Sequence, residues 1–281
     1  MSRTFMRFPN FKPKALTVSY DDGVRQDKRL IEILQKYGLK GTFNLNSGLL
    51  GETFNGESTG RMTQQEILAL YEPTGMEIGL HGYRHCSLGR IDRALATADV
   101  MEDRKALEIM LGHLVKGMAY ANGSFNEDVI AILKNCGVKY ARTIVSTENF
   151  ELPNTWLQWN PTCHHNHPRF MDLAKRFVQW EPDEGYFWRY RPQIFYLWGH
   201  SYEFDDEDNW HSIENFAEFV GGKANIWYAT NGEIYDYVRA YDRLEWGVNG
   251  DCVYNSSAID VYINYYGKEY IIPMGKIINL K

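Results

Sequence analysis

The sequence contains no uninterrupted apolar run of about 18 residues, the length that a helix needs to cross a bilayer. Its first fifteen residues, MSRTFMRFPNFKPKA, carry charge but lack the continuous apolar segment of a secretory signal. No C-x-x-C pair occurs among the four widely spaced cysteines, Cys86, Cys136, Cys163 and Cys252, which is typical of free thiols in a reducing compartment. These absences predict a cytoplasmic protein that does not span a membrane.

An excess of positive charge is also missing. The net charge of -6 argues against nucleic acid and against an anionic membrane surface as partners. The apolar content of 44% and charged content of 23% are those of a soluble globular protein, and 281 residues suffice for a sizeable core. Aromatic residues, at 15%, are abundant and would suit stacking on sugars, although most aromatic side chains pack in cores.

Strand-like and helix-like patterns alternate from residue 15 to about residue 241. The strand patterns are ALTVSY (15–20), LKGTFNLN (39–46), EIGL (77–80), GMAY (117–120), VKYARTI (138–144), IFYLW (194–198) and NIWYA (225–229). Helical spacing lies between them, with a long helix expected over about 91–111 and helix starts at Thr63-x-x-Glu66 and Ser124-x-x-Glu127. This alternation predicts an α/β protein with a parallel sheet, either closed into a barrel or doubly wound.

The pattern changes after Arg243. The segment VNGDCVYN contains an Asn-Gly turn, and IDVYINYYGKEYIIP alternates on either side of Tyr-Gly-Lys. We therefore expect a main domain over residues 1–243 and a small β extension over residues 244–281 packed against it.

Three of the predicted strands end at residues that can bind a metal or transfer a proton. Asp21 and Asp22 follow the first strand, and His81 follows EIGL, with His85 four residues later. His200 follows IFYLW. Each motif alone is more often a surface turn or a structural histidine. In a barrel, however, the carboxyl ends of parallel strands meet on one face, so the sequence predicts that these side chains converge.

Two adjacent aspartates repel each other and resist burial unless a cation lies beside them. One carboxylate and two histidines are a minimal ligand set for a divalent ion with open coordination positions. The H-x-x-x-H spacing would place both rings on one side of a helical turn. The second carboxylate could then accept a proton from a water activated by the ion.

These motifs resemble those of the polysaccharide deacetylases, carbohydrate esterase family four, whose domain is also known as the NodB-homology domain. SYDDG resembles the first family motif, Thr-Phe-Asp-Asp-Gly; EIGLHGYRH resembles the second, and LWGH the fifth. The resemblance covers roughly residues 15–240. It implies a distorted (β/α) barrel of about seven parallel strands, one divalent ion and hydrolysis of an N-acetyl amide on a sugar. Zinc is the first choice for the ion, with cobalt, nickel, manganese or iron as alternatives.

The resemblance also implies roles for individual residues. Asp21 would be the general base and His200 the general acid. The metal ligands would be Asp22, His81 and His85. The backbone around Tyr120 and Ala121 would stabilise the oxyanion.

Two family motifs lack a clear match. The third commonly reads Arg-x-Pro-Tyr, but Ala119 stands at the position of the arginine that normally holds the base aspartate. The fourth, Asp-x-x-Asp-Trp, normally orients the acid histidine, and its region here reads LQWNPTCHHNHP (157–168).

We expect His164 and His165 to contact substrate hydroxyls, in preference to forming a second metal site, because no carboxylate lies near them in sequence. A polar loop whose histidines bond to the backbone is the alternative. Trp159 could stack on a sugar, support His200 or pack in the core. We interpret Glu203 and the acidic run at 205–208 as part of a solvated loop.

The sequence thus predicts a metal-dependent hydrolase that removes N-linked acetyl groups from an amino sugar, oligosaccharide or polysaccharide, and it leaves open a homo-oligomer. Two alternatives remain. One is an amidohydrolase of the same fold that cleaves another non-peptide carbon–nitrogen bond, and it is favoured by the absence of the third-motif arginine and by the expected cytoplasmic location. The other is a degenerate carbohydrate-binding protein, which would not need two aspartates and three histidines at strand ends. Substrate profiling would test the first and metal content the second.

Overall fold

Helices and strands alternate through the computed structural model, which describes residues 4–183 and 190–280. The helices are α1 (Asp27–Lys36), α2 (Gln64–Tyr71), α3 (Arg93–Leu111), α4 (Glu127–Asn135), α5 (Phe170–Gln179), α6 (Glu203–Asp206), α7 (Trp210–Val220) and α8 (Asn231–Asp242). The strands are β1 (Thr4–Arg7), β2 (Lys14–Asp21), β3 (Gly41–Leu45), β4 (Thr53–Phe54), β5 (Glu57–Ser58), β6 (Glu77–Leu80), β7 (Gly117–Ala119), β8 (Tyr140–Arg142), β9 (Cys163–His164), β10 (Gln193–Gly199), β11 (Ile226–Tyr228), β12 (Leu244–Trp246), β13 (Cys252–Asn255), β14 (Val261–Tyr265), β15 (Lys268–Ile272) and β16 (Ile277–Asn279).

The main sheet is parallel and has the order β8-β7-β6-β3-β2-β10-β9, with β11 beside the first half of β2. Every residue of β2 is buried, as expected for a parallel strand covered on both faces. The sheet curls so that its two edges approach each other. Arg142 at the end of β8 pairs with Trp159, which lies a few residues before β9. The predicted fold class, a distorted (β/α) barrel, is confirmed.

The helix starts follow their capping residues. Thr63 and Glu66 form the predicted capping box of α2, with the Glu66 carboxylate 2.7 Å from the Thr63 backbone nitrogen. The predicted cap of α4 at Ser124 is wrong, because Asn126 accepts the backbone N–H of Val129 and begins the helix.

Besides the short β4-β5 pair, two three-stranded antiparallel sheets accompany the barrel. One has the order β12-β13-β16, and the other has the order β1-β14-β15. They enclose a separate apolar cluster that includes Val253, Val261, Ile263 and Ile272. The small β region expected after residue 243 is therefore present, and the N-terminal strand β1 joins it through its pairing with β14. The domain boundary at residues 243 and 244 stays a prediction.

Among the residues described, no helix combines the length and apolar character needed to cross a bilayer.

Candidate active site

The carboxyl ends of β2, β6 and β10 bring the predicted catalytic residues together. Asp21 Oδ2 lies 3.7 Å from His81 Nε2 and 4.0 Å from His200 Nε2. Asp22 Oδ1 lies 3.7 Å from His85 Nε2. Separate segments of the chain thus deliver two carboxylates and three imidazoles to one place, as the strand-end argument predicts.

The residues Asp22, His81 and His85 suit a divalent cation. One ligand atom from each lies within 4.8 Å of the others. His81 Nδ1 lies 2.9 Å from the carbonyl oxygen of Ala119. A carbonyl can only accept, so Nδ1 carries the proton and Nε2 keeps the lone pair that a metal requires. Burial lowers the pKa of His85, which favours the neutral ring that coordinates metals.

Two of these three residues have strained backbones. Asp22 has a φ of 81° and His85 a φ of 56°, in the left-handed region that residues other than glycine rarely adopt. Such conformations cost on the order of 1–3 kcal/mol each and concentrate at functional sites. The strain also shows that the expected helical turn between His81 and His85 is wrong, since the pair lies on an irregular turn after β6.

Helix α3 holds that turn through two buried carboxylates that the sequence did not single out. Asp103 accepts the backbone N–H of His81 at 3.1 Å, while Asp99 accepts those of Tyr83 at 3.0 Å and Arg84 at 3.1 Å. Asp99 and Asp103 are four residues apart, so both face the turn from one side of the helix. They fix its backbone before any ligand binds.

Asp21 is held by Arg142, a residue of the predicted strand 138–144. Burial alone would raise the pKa of Asp21, but the Arg142 guanidinium, aided by His81 and His200, lowers it to about 2. Asn44 adds a hydrogen bond to Asp21 Oδ1 at 2.9 Å. Asp21 is therefore a carboxylate at any ordinary pH.

Arg142 compensates for the arginine that is missing at the position of Ala119. It is 1% exposed, at the end of the strand next to β7, and its guanidinium carbon lies 4.3 Å from the centre of the Trp198 ring. The arginine expected before Tyr120 is thus replaced by one from the neighbouring strand. An arginine inside an otherwise apolar strand pattern is the sequence signal that could have revealed it.

Glu203 lies against His200, the expected general acid, and its assignment to a solvated loop is wrong. Its Oε1 is 3.2 Å from His200 Nδ1, and its Oε2 is 3.2 Å from His164 Nε2 and 3.1 Å from His165 Nε2. Burial would raise the pKa of Glu203, but these imidazoles hold it far below its usual range. Burial likewise would lower the pKa of His200, yet Glu203 and Asp21 raise it overall.

His164, His200 and Glu203 form a second group in which one possible metal-ligand atom from each residue lies within 4.8 Å of the others. Its chemistry differs from that of the first group, because the backbone N–H of Asn166 donates to His164 Nδ1 at 3.1 Å. The proton of a neutral His164 ring is therefore on Nε2, directed at the carboxylate. This arrangement favours a hydrogen-bonded cluster over a second metal site.

Two of the proposed substrate contacts are buried. Trp159 is 1% exposed and packs among other aromatic rings of the core, so stacking on a sugar is wrong and the core alternative is right. His165 is 3% exposed and lies between Tyr20 and Phe204, with ring centroids 5.7 and 4.2 Å away. A direct substrate contact by His165 is therefore also wrong. A Cβ atom on Gly199 would lie only 2.0 Å from His165 Nδ1, so this ring fits only against glycine.

The partly exposed His164 remains available to a substrate. Of the two expected oxyanion donors, likewise, one is engaged within the protein and the other remains a candidate. The Tyr120 N–H donates to the carbonyl of Arg142 at 3.1 Å and is therefore already engaged. Ala121 begins a short 3-10 turn immediately afterwards and remains the candidate donor.

Comparisons with known proteins agree with this architecture. The family model described as polysaccharide deacetylase matches residues 9–141. A chitin deacetylase from Pestalotiopsis sp is 24% identical over 140 residues, which cover 50% of this chain and 44% of that protein. The chain thus matches less than half the length of this curated relative.

Two solved structures show the same fold. A putative polysaccharide deacetylase from Mycobacterium smegmatis has a TM-score of 0.59 at 16% identity, covering 84% of this chain and 93% of the other. A family 4 carbohydrate esterase from Streptomyces lividans in complex with acetate has a TM-score of 0.50 at 13% identity, covering 76% and 91%. In its motifs, its fold and the match over residues 9–141, the chain is similar to the polysaccharide deacetylases, carbohydrate esterase family four.

Proposed function

We propose that this protein is a metal-dependent hydrolase that removes N-linked acetyl groups from an amino sugar, oligosaccharide or polysaccharide. The observation that carries the proposal is the grouping of Asp22, His81 and His85 around one point, next to Asp21 and His200. Amide hydrolysis needs a polarised carbonyl, a base for the attacking water and an acid for the departing amine, and this grouping offers all three.

A divalent ion held by Asp22, His81 and His85, zinc being the first choice, would polarise the acetyl carbonyl and lower the pKa of water. Asp21 accepts a proton from the attacking water, because its low pKa keeps it ionised and ready as a base. His200, whose pKa is raised, carries the proton that the departing nitrogen needs. The N–H of Ala121 is the proposed donor to the developing oxyanion.

The choice of an acetylated sugar draws on the chitin deacetylase among the relatives. The missing third-motif arginine had favoured a different amide, and the contact of Arg142 with Asp21 removes that reason. A degenerate sugar-binding protein is disfavoured because it would have no use for strained backbones at Asp22 and His85.

The test is acetate release from a panel of N-acetylated sugars and oligosaccharides. The protein is stripped of metal, reloaded with zinc or cobalt, and compared with Asp21→Asn and with Asp92→Asn, which changes an exposed aspartate. We expect Asp21→Asn to keep its metal and lose turnover, while Asp92→Asn behaves as the wild type. Metal-loaded protein that releases no acetate from any member of the panel would overturn the proposal.

A further inference from the structure

Three imidazoles meet one carboxylate beside the candidate active site, and the two carboxylate oxygens divide them unequally. Glu203 Oε2 faces His164 and His165, at 3.2 and 3.1 Å. Among the described residues, Oε1 faces the single imidazole of His200, whose Nδ1 lies 3.2 Å away. One oxygen is thus occupied by histidines outside the reaction, and the other is left for the acid histidine.

The positions of the protons follow from the partners. Asn166 donates to His164 Nδ1, so the His164 proton on Nε2 points at Glu203. His165 is a neutral ring, because burial lowers its pKa to about 4, and its Nε2 faces the same oxygen. Both rings keep Glu203 ionised and aimed. With Oε2 facing these two rings, Oε1 faces His200.

The contact between Glu203 and His200 is an ion pair rather than an aligned hydrogen bond, because the buried Nδ1 finds no well-directed acceptor in the described part of the chain. A carboxylate can only accept, so the ring nitrogen beside it carries a proton. The other nitrogen, Nε2, then faces Asp21 at 4.0 Å, where a second proton makes the ring an acid. Hydrogen bonds of catalytic groups are often long before substrate binds and tighten in the complex.

Glu203 is also fixed from its own chain segment. It is the first residue of the short helix α6, three residues after His200, and its Oε2 lies 3.3 Å from the His200 backbone nitrogen. Among the described residues, the other ionisable groups that act on the His200 ring are Asp21 and Asp22 at the end of β2, His164 from β9 and the adjacent Tyr202. Glu203, unlike these, lies next to Nδ1.

We propose that Glu203 is a positioning residue that holds His200 in the orientation and protonated state required of the general acid, with His164 and His165 holding Glu203 in turn. The catalytic consequence rests on the proposed function. The effect on the ionisation of His200 does not, because it follows from the geometry of the cluster alone.

The experiment compares Glu203→Gln with Asp206→Asn in the full chain loaded with zinc. Gln has nearly the shape of Glu but no charge, and Asp206 is an exposed acid on the same short helix. The ring nitrogens of His200 are followed by NMR across pH in each variant. The same samples give metal content and the pH dependence of kcat for acetate release.

Removing the charge should lower the pKa of His200 by about 1 unit, the lower end of what a close opposite charge contributes. The alkaline limb of the kcat profile should then move to lower pH by the same amount, which makes kcat about tenfold lower on that limb. Metal content should not change, and Asp206→Asn should leave both the His200 titration and the kcat profile in place.

An unchanged pKa of His200 in Glu203→Gln would overturn the proposal, as would an equal shift in both variants. A lowered pKa in a chain that releases no acetate would support the role of Glu203 and count against the deacetylase instead. Should Glu203→Gln fail to fold, His164→Ala removes one of the two rings that hold Glu203, and a smaller shift in the same direction is expected. No shift in that folded variant contradicts the proposal.

Discussion

The candidate site has two halves, which are supported in different ways. The metal half is the proposed ligand set Asp22, His81 and His85, and the acid half is His200 with Glu203. In the metal half, Asp22 and His85 have strained backbones, and the turn after β6 is held by Asp99 and Asp103 from α3, the next α-helix along the chain. In the acid half, His200 is held by a carboxylate three residues away. A metal site needs several ligand atoms fixed in relation to one another, which favours rigid support from outside. An acid needs one ring with one orientation and charge, and a local partner is enough.

The histidines of the two halves differ in the same sense. His81 Nδ1 faces a carbonyl, so its Nε2 keeps a lone pair, whereas His164 Nδ1 accepts from a backbone N–H, so its Nε2 carries the proton. The partner of one ring nitrogen decides whether the other binds a cation or donates a hydrogen bond. Grouped histidines therefore become informative only once those partners are known.

The largest effect should come from removing a ligand of the metal half. We expect His81→Ala to lose metal affinity by more than the roughly 100-fold that an outer-shell change costs, and to lose turnover with it. Metal content after dialysis measures the first effect and acetate release the second. The exposed His113 provides the control, and His113→Ala should retain its metal. Full occupancy in His81→Ala would show that the ligand set is wrong.

A smaller effect should follow from removing the guanidinium of Arg142. This group contacts Asp21, which lies between His81 of the metal half and His200 of the acid half. Arg142→Met leaves a buried carboxylate without its partner, which typically costs about 3–5 kcal/mol of folding free energy. Urea unfolding at neutral pH measures this loss, with the exposed Arg90→Met as the comparison. A difference below about 1 kcal/mol, the usual value of an exposed ion pair, would contradict the structural importance of this contact.

The next effect in size is a pH dependence of the folding stability, which comes from Asp27 beside Ser201. Asp27 is fully buried, with Ser201 Oγ and Tyr71 Oη each 2.6 Å from its carboxyl oxygens, and burial raises its pKa to about 7. The folded state therefore keeps a proton that the unfolded chain loses near pH 4. The stability from this group is complete below about pH 4 and disappears as pH rises through about 7.

Between pH 5 and pH 8, the free energy of unfolding of the wild type should therefore fall by about 3 kcal/mol more than that of Asp27→Asn. Urea unfolding at the two pH values gives both differences. Parallel losses in the two proteins would refute a protonated Asp27.

The smallest effect should come from loosening the remote support of the metal half. Asp99→Asn weakens the hold on the turn that carries His85, and we expect metal affinity to fall by about 10- to 100-fold with the fold intact. Calorimetric titration with zinc measures it. Glu102→Gln, an exposed change on the same helix, should bind as the wild type. Equal affinity in all three proteins would mean that the turn needs no support from α3.

Much of this architecture could be predicted from the sequence because it depends on local patterns. The strands that end at Asp21, His81 and His200 have clear apolar patterns, and parallel strand ends must meet on one face. Arg142 and Glu203 were not found, because their roles depend on which strands become neighbours and on where a loop folds back. The role of Trp159 could not be assigned either, since an aromatic residue beside a strand end has the same sequence pattern whether it packs in the core or lines a binding cleft.

The close packing of Gly199 against His165 has a consequence for the evolution of such chains. The two positions lie on separate segments, but Gly199 cannot gain a side chain while His165 is present, because a methyl group at 199 would occupy the space of the imidazole. Related sequences that carry a larger residue in place of Gly199 should therefore carry a smaller one in place of His165. Such paired substitutions would mark a lineage in which the acid histidine has acquired a different support.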